Sequence, residues 1–312
     1  MVKTVVAVGL PVDEKLQIVK NCLEPEKLTG NEKRICIVTG THGDELEGQY
    51  VCYEVNRRIK EHMECLKGVV EIYPALNPLG VDSITRGIPG FDLDMNRIFP
   101  GTEQGSVPEY IAHKVIQDIA GADMCVDIHA SNIFLREIPQ VRINENVAEK
   151  LIPYAKKLNI DFVWIHAAAT VLEATLAHSL NSIGVPTLVV EMGVGMRITE
   201  DYCHQLTDGL FCLMKELGIW TGETITPKAP IISMDKEVGF LNANVPGIFV
   251  PCVKHWGNVD KGELLGRILN PLTGEVEEQV YSPLHGMVFT LREYPVVSCG
   301  SLLARVLGGD FQ

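Results

Sequence analysis

The interpretation of this chain rests on the stretch Ile35-Cys36-Ile37-Val38-Thr39-Gly40-Thr41-His42-Gly43-Asp44-Glu45. Its apolar first half predicts a buried strand, and its glycines predict a turn that leads into a helix from about Asp44. Functional groups of α/β folds gather where strands end, so His42 and Glu45 are expected at the edge of a sheet. An imidazole and a carboxylate three residues apart across such a turn can bind one metal ion. Taken alone, the same residues are more often a turn and a helix capped by Asp44.

The composition limits the class of protein. The chain has 312 residues, 46% of them hydrophobic, which is enough for one large domain or two unequal ones. The formal net charge of −13 argues against a nucleic-acid partner. No apolar run approaches the roughly 20 residues that a membrane helix needs, and residues 4–8 are too short for the core of a signal peptide. The nine cysteines show no Cys-x-x-Cys spacing, which is typical of the reducing cytoplasm, where we expect the protein.

Strand-like runs alternate with helical patterns along most of the chain. This alternation predicts an α/β fold with a mostly parallel sheet and helices on both faces. The predicted strands are 4–8, 35–39, 69–73, 124–129, 161–165 and 186–191. The predicted helices are 44–63, 107–119, 144–158, 172–182 and 199–217, with a short helix or turn at 13–23. Residues 76–101 form a long irregular segment, and loops of this length in a compact domain tend to be functional.

The sequence changes character near residue 228, which predicts a catalytic domain at 1–227 and a β-rich domain at 228–312. The second part is rich in Val, Gly and Pro and contains a weak internal repeat. The repeat matches 247–250 with 286–289 and 262–269 with 300–307. Two such halves predict a small β-domain with pseudo-twofold symmetry, similar to the biotinyl/lipoyl-type sandwich barrel. Carriers of that type present a modifiable lysine between the halves, but residues 270–279 contain none, so a carrier role is not expected.

Polar groups lie at several predicted strand ends and in the irregular segment, and one edge of a parallel sheet could bring them together. They are His42 with Glu45, the segment 77–97, His129 and Glu191. A catalytic zinc site uses three such protein ligands and an open position, which His42, Glu45 and His129 would supply. A bound zinc ion lowers the pKa of its water to about 7. Glu191, at a strand end, suits the general base that passes a proton to the leaving amine.

Arg86 and Arg97 lie in the irregular segment and are candidates for binding negative charge. Either guanidinium could stabilise the developing oxyanion, and a guanidinium also fits a substrate carboxylate. Each residue of the set has an ordinary explanation when it is taken singly, since loop arginines are usually solvated and strand-end histidines are usually structural. The complete set in this order requires several coincidences, and it therefore favours a metal site.

The same residues, with their order and spacing, resemble the succinylglutamate desuccinylase/aspartoacylase family of the zinc carboxypeptidase clan. The matching motifs, which span residues 35–195, are Thr41-His42-Gly43-Asp44-Glu45, Asn77-Pro78, Arg86, Asp94-Met95-Asn96-Arg97-Ile98-Phe99-Pro100-Gly101, Asp127-Ile128-His129 and Val190-Glu191-Met192-Gly193. The resemblance implies a zinc carboxypeptidase-like fold, one Zn²⁺ per chain and hydrolysis of an N-acyl amino acid to a carboxylate and a free amine. The β-rich part is similar to the C-terminal domain of family members.

The resemblance also implies roles at the metal. His42, Glu45 and His129 would bind zinc, and Glu191 would be the general base. Asp94 matches a carboxylate that orients a ligand histidine.

For the substrate, the resemblance implies that Arg86 polarises the scissile carbonyl and that Asn96 and Arg97 hold the α-carboxylate. Aspartoacylases also carry an arginine shortly before the general base, and this arginine binds the acidic side chain of their substrate. This chain has no Lys or Arg between Ile165 and Met192. We therefore expect a substrate with a neutral or cationic side chain, as in the related N-acetyl-diaminobutyrate deacetylases.

Several alternatives stay open at this point. A metallocarboxypeptidase acting on short peptides would use the same centre, and a binding module could retain a degenerate one. Two histidines and a carboxylate do not select zinc uniquely among divalent ions. The acyl group, the amine and the presence of a homo-oligomer are also open. Asp127 could orient a ligand or make an ordinary strand-end hydrogen bond, while His166 and His178 are more often structural than part of a pocket.

Overall fold

The computed structural model describes residues 1–166, 173–234 and 237–310, which form a mixed α/β fold around one large sheet. The α-helices of the described residues are α1 (Glu47–Glu61), α2 (Pro78–Ser83), α3 (Val107–Ile119), α4 (Ala148–Ala155), α5 (Leu176–Ser182) and α6 (Glu200–Glu216). The strands up to residue 193 are β1 (Val2–Gly9), β2 (Lys15–Leu23), β3 (Arg34–Thr39), β4 (Val69–Tyr73), β5 (Met124–His129), β6 (Leu135–Asn144), β7 (Phe162–His166) and β8 (Thr187–Gly193). The later strands are β9 (Ile231–Met234), β10 (Val238–Asn242), β11 (Gly247–Pro251), β12 (Asn258–Val259), β13 (Leu264–Asn270), β14 (Glu275–Tyr281), β15 (Gly286–Arg292), β16 (Val296–Val297) and β17 (Leu302–Gly308). None of the described helices has the length and apolar character needed to cross a membrane.

The centre of the large sheet is parallel, with β4, β3, β5 and β8 side by side. Antiparallel pairs adjoin this centre, because β2 pairs with β1 and β4 on one side and β6 pairs with β8 on the other. Strand β7 pairs in parallel with β6 and β9, so the sheet is mixed, and the prediction of a mostly parallel sheet holds for its centre and for this group of strands. One cause of the mixed pairing is that residues 13–23 contain β2 rather than a short helix or turn. Side chains from Leu16 to Cys22 alternate between buried and more exposed positions, which is the period of a strand. Strand β6 was not predicted.

Helices lie on both faces of the parallel centre, as predicted. Successive residues of β3 point to opposite faces, so Ile35 and Ile37 pack in the core that includes α1, α4 and α6. Cys36 and Val38 pack in the second core, which includes α3 and α5. A strand that is buried on both faces needs a nearly continuous apolar run, as β3 has. The carboxyl ends of β3, β5 and β8 therefore meet at one edge of the sheet.

The five longer predicted helices agree with the structure apart from their ends. Helix α1 begins at Glu47 instead of Asp44, and Leu46 occupies its N-cap position. Asp44 is therefore not the cap of this helix. The helix predicted at 172–182 corresponds to α5, and the first residue of that prediction lies outside the described residues.

The described residues after 230 contain strands and no α-helix. A four-stranded sheet in the order β14-β13-β11-β16 shares an apolar core with β10, β15 and β17. The sequence repeat corresponds to matched pairings, because β11 pairs with β13 and β16 while β15 pairs with β17 and β12. Strand β15 also pairs with β6, and β9 pairs with β7, so the large sheet continues into this region. The domain boundary near residue 228 stays a prediction.

Candidate metal centre

His42 and Glu45 lie in the turn between β3 and α1, and two glycines allow this turn to form. Gly40 has a φ of +64°, in the left-handed region that favours glycine. A Cβ on Gly43 would lie 1.9 Å from the carbonyl carbon of Gly80, so only glycine allows this approach to α2. The glycines of the quoted stretch thus fix where the two candidate ligands stand.

The structure brings His42, Glu45 and His129 into direct contact. Nδ1 of His42 lies 2.7 Å from Oε1 of Glu45, and Nδ1 of His129 lies 2.9 Å from Oε2. The backbone N–H of Ala130 donates to the same Oε2 at 3.1 Å. Candidate ligand atoms of the three residues all lie within 4.8 Å of one another, and all three residues are buried.

Each imidazole turns its other nitrogen toward a second carboxylate. Nε2 of His42 forms a hydrogen bond of 3.0 Å with Oδ1 of Asp94. Nε2 of His129 lies 3.1 Å from Oδ2 of Asp127, although the contact lacks hydrogen-bond alignment, and both oxygens of Asp127 have no hydrogen-bond partner. Carboxylates in these positions orient metal-binding histidines and leave Nδ1 for the ion. Asp127 reaches His129 because residues two apart in a strand share a face.

The charges around the three residues fit a divalent cation. Burial lowers the pKa of His42 and His129, but the surrounding carboxylates outweigh burial and raise both pKa values. Burial raises the pKa of Glu45, but the two imidazoles outweigh burial and hold its pKa below the ordinary value. Two imidazole nitrogens and an ionised carboxylate are ligands that catalytic zinc uses. Binding a metal at these nitrogens would release protons.

Arg86 stands beside these residues at the opening of the site. Its Nη1 lies 3.2 Å from Oε1 of Glu45, and its Nη2 lies 3.2 Å from Oδ2 of Asp94. The side chain is 40% exposed, so it can meet both the candidate ligands and an incoming molecule. The structure thus brings Arg86 and Asp94 to the predicted site.

Asn96 and Arg97 line the same site but lie a little farther from the candidate metal ligands than Arg86 does. Oδ1 of Asn96 accepts a hydrogen bond of 3.0 Å from the backbone N–H of Leu176. Nη1 of Arg97 donates to the carbonyl of Asn96 at 2.7 Å. These bonds fix the segment against the start of α5 and leave other donors of the Arg97 guanidinium for a ligand.

Glu191 lies on β8 next to His129, because the two residues are direct partners in the parallel pairing of β5 and β8. Burial raises the pKa of Glu191 above its ordinary value, although the guanidinium of Arg142 counteracts burial. Nη1 of Arg142 donates to Oε1 of Glu191 at 3.2 Å. A carboxylate with a raised pKa next to a metal site suits proton transfer near neutral pH.

Sequence reasoning missed Arg142 and Glu137 on β6 and Arg305 on β17. All three line the same cavity as Glu191. Arg142 reaches Glu191 through the antiparallel pairing of β6 and β8, in which Gln140 is the partner of Glu191. No local pattern in the sequence indicates that pairing.

Two cavities meet at Glu191. The metal-side cavity has a volume of about 360 Å³ and contains the three candidate ligands and Arg86. The side cavity has a volume of about 430 Å³ and extends toward α4 and α5. The described residues that line both cavities are Asn96, Arg97, Arg142, Val189 and Glu191.

The rest of the side cavity has a neutral polar part and an apolar part. The neutral polar residues include Asn144, His166, His178 and Asn181, and the apolar ones include Ile143, Val147 and Leu151. Asp127 also contributes to this lining. Both histidines that sequence reasoning left as more often structural therefore lie in a cavity next to the candidate base.

Comparisons with known proteins identify a matching family and a similar enzyme. The family model of the succinylglutamate desuccinylase/aspartoacylase catalytic domain matches residues 31–217. The N-alpha-acetyl-L-2,4-diaminobutyric acid deacetylase of Halomonas elongata is 24% identical over 273 residues, which cover 85% of this chain and 79% of that protein.

Solved structures share the fold over almost the whole chain. The product-bound structure of the ectoine utilization protein EutE (DoeB) from Ruegeria pomeroyi is 20% identical with a TM-score of 0.84, covering 97% of this chain and 93% of that one. A succinylglutamate desuccinylase/aspartoacylase structure from Rhodobacter sphaeroides is 21% identical with a TM-score of 0.83, covering 100% of this chain and 96% of that one.

Proposed function

The chain belongs to the succinylglutamate desuccinylase/aspartoacylase family, and from this premise we propose that it is a zinc-dependent deacylase. The family predicted from the sequence is thereby confirmed, and it makes the protein an amidohydrolase. The proposed reaction hydrolyses the amide bond of an N-acyl amino acid or a similar small amide. The observation that supports it best is the contact of His42, Glu45 and His129, with Glu191 on the adjacent strand.

In this proposal His42, Glu45 and His129 hold one zinc ion per chain. When bound, the ion supplies a Lewis acid that acidifies water and polarises a carbonyl. Glu191 accepts the proton of the attacking water and passes it to the nitrogen of the leaving amine. Asp94, bonded to Nε2 of His42, keeps that imidazole oriented.

The substrate is held by cationic and amide side chains at the junction of the two cavities. Arg86 brings positive charge to the scissile carbonyl, where the oxyanion develops. Asn96 and Arg97 bind the α-carboxylate, for which a guanidinium is the best-matched partner. Cavities of about 360 and 430 Å³ are suited to a small molecule.

The side cavity receives the side chain of the released amino acid, and its lining favours a neutral or cationic group. Arg142 enters this cavity, but its guanidinium is already paired with Glu137 and Glu191. The other guanidinium of the described lining, that of Arg97, binds the α-carboxylate in this proposal, so no Lys or Arg of that lining is left for an acidic side chain. The similar protein from Halomonas elongata is named for a substrate with an amine in its side chain.

An amine-release screen tests the proposal. The purified protein is assayed with N-acetyl-L-methionine, N-acetyl-L-2,4-diaminobutyrate, N-acetyl-L-aspartate, N-succinyl-L-glutamate and a dipeptide, with and without a chelator. We expect turnover of the neutral or basic N-acetyl amino acids, loss of turnover with the chelator, and recovery on addition of zinc.

Three different results would each contradict one part of the proposal. Much faster hydrolysis of N-acetyl-L-aspartate or N-succinyl-L-glutamate would exclude the proposed side-chain preference. Faster cleavage of the dipeptide would favour a metallocarboxypeptidase. Full activity after complete metal removal would exclude a metal-dependent reaction.

A further inference from the structure

A row of alternating charges connects Glu191 with strand β17 in the C-terminal region. Arg142 donates through Nη1 to Oε1 of Glu191 at 3.2 Å and through Nη2 to Oε1 of Glu137 at 3.1 Å. The same oxygen of Glu137 accepts a hydrogen bond of 2.7 Å from Nη1 of Arg305. The four groups alternate in sign, and none of them belongs to the proposed metal ligands.

The carboxylate of Glu137 is the most firmly held group of this row. Its side chain is 1% exposed, and a carboxylate buried to this extent requires charged and hydrogen-bonding partners. Its second oxygen, Oε2, accepts hydrogen bonds from Nε2 of Gln140 at 2.8 Å and from the hydroxyl of Thr290 at 2.5 Å. Donors from β6, β15 and β17 therefore hold this carboxylate in one place.

Arg142 is held from a second side by the indole ring of Trp164. Its guanidinium carbon lies 5.5 Å from the ring centroid, and that of Arg305 lies 5.2 Å from it. A guanidinium is planar and stacks on aromatic rings, which restricts its rotation. The hydrogen bond from Arg142 to Glu191 therefore has a fixed direction.

That hydrogen bond uses only one oxygen of the Glu191 carboxylate. Within the part of the chain that the structure describes, no residue donates a hydrogen bond to Oε2 of Glu191, whereas Oε1 is bound to Arg142. One oxygen is thus anchored, and the other is left for a water molecule. A general base must lie within hydrogen-bond reach of the proton that it removes, so anchoring one oxygen has a direct consequence for the reaction.

We propose that Arg142 is a positioning residue for Glu191 and that Arg305 extends this positioning to the C-terminal region. Arg142 holds Oε1, so that Oε2 meets the attacking water in a constant orientation. Arg305 fixes Glu137, which in turn fixes Arg142. The inference rests on the role of Glu191 as general base in the proposed function. The inference also assigns a role to β17, because this strand supplies Arg305.

The kinetic test compares Arg142→Met, Arg142→Lys and Arg305→Met with the wild type, using N-acetyl-L-methionine and N-acetyl-L-2,4-diaminobutyrate in the presence of zinc. We expect Arg142→Met to lower kcat about 10- to 100-fold with KM changed less than about twofold, as is typical for partners that orient an active-site group. Arg142→Lys keeps the charge and should retain more activity. Added guanidinium ion should restore part of the kcat of Arg142→Met, and Arg305→Met should lower kcat to a smaller extent.

A matched control is Arg136→Met on the same strand. Nε of Arg136 lies 3.4 Å from Oε1 of Glu293, outside the row of charges, so this variant should keep the wild-type kcat and KM. A raised KM with unchanged kcat in Arg142→Met would mean that Arg142 binds substrate and would overturn the proposal. If Arg142→Met does not fold, wild-type kcat in both Arg142→Lys and Arg305→Met would overturn it.

Crystal structures of the wild type and of Arg142→Lys and Arg305→Met give a readout that needs no turnover. We expect the Glu191 carboxylate to shift or to occupy more than one position in the variants. A single unchanged position in both would overturn the proposal. Failure of the wild type to release amine would count against the proposed function instead, so the two failures are distinguishable.

Discussion

Replacing Glu45 by glutamine should destabilise the metal-free protein and weaken its binding of zinc. The carboxylate of Glu45 contacts Nδ1 of His42 at 2.7 Å, Nδ1 of His129 at 2.9 Å and Nη1 of Arg86 at 3.2 Å. Glutamine has nearly the same shape, but it removes the charge and turns one acceptor oxygen into a donor that faces other donors. Removing one partner from a buried charged group costs about 3 to 5 kcal/mol.

The sign of the pH dependence follows from the lowered pKa of Glu45. Burial raises the pKa of this carboxyl, but the imidazoles lower it more, so its pKa lies below the ordinary value of 4.5. A lowered pKa contributes stability that is present above that ordinary value and is lost as the pH falls through the folded-state pKa. The difference between Glu45→Gln and the wild type should therefore shrink as the pH falls below about 4.5, and it should also shrink at higher pH once His42 and His129, whose pKa values are raised, lose their protons.

Thermal unfolding of chelator-treated protein at neutral pH measures the effect. At about 2 °C per kcal/mol for a chain of this size, we expect Tm to fall by roughly 6 to 10 °C. Addition of zinc should raise the Tm of the wild type more than that of the variant, because a ligand stabilises the state that binds it. The control is Glu61→Gln on α1, whose side chain is 51% exposed and which should keep the wild-type Tm. A wild-type Tm and a wild-type response to zinc in Glu45→Gln would show that the Glu45 carboxylate neither holds the two imidazoles nor binds the metal.

Two further predictions concern the buried charges of the sheet and the side cavity. Oε1 of Glu71 lies 2.7 Å from Nζ of Lys20, and Oε2 of Glu71 lies 2.8 Å from Nη1 of Arg34. Burial raises the pKa of Glu71, but these two cations outweigh burial and lower its pKa below the ordinary value. Glu71→Gln should therefore lose about 3 kcal/mol of unfolding free energy at neutral pH and much less near pH 3, as measured by chemical denaturation. Equal losses at the two pH values would contradict this prediction. His178→Arg adds a cation to the side cavity and should raise kcat/KM for N-acetyl-L-aspartate relative to N-acetyl-L-methionine about tenfold. The control is His62→Arg, at a position that is 62% exposed and is not among the described residues lining this cavity, and an unchanged ratio in His178→Arg would argue against the proposed side-chain pocket.

The centre of the fold was predictable because burial on both faces leaves a strong local pattern. The continuous apolar runs of β3, β5 and β8 mark strands, and a polar residue at each end marks the edge where they meet. This is why the sequence places His42, Glu45, His129 and Glu191 together, and the structure brings them together. Their roles in binding and catalysis stay predictions. Strand β2 was not recognisable from residue types, because the apolar Val19 occupies a more exposed position and the charged Lys20 a buried one.

The row of charges behind Glu191 was not predictable from local sequence. It depends on the antiparallel pairing of β6 with β8 and of β6 with β15, and both pairings join segments that are far apart in the chain. Arg142 and Glu137 have no feature that separates them from ordinary surface residues until these pairings are known. Arg305 adds a third segment, from β17. Long-range register decides such contacts, and periodicity alone does not encode it.

The proposal assigns metal binding to His42, Glu45 and His129 and proton transfer to Glu191. Both assignments are tested together by the zinc content and kcat of Glu191→Gln, measured beside the wild type by elemental analysis and amine release. We expect the variant to keep the zinc content of the wild type and to lose turnover. Retained turnover in Glu191→Gln would contradict this expectation.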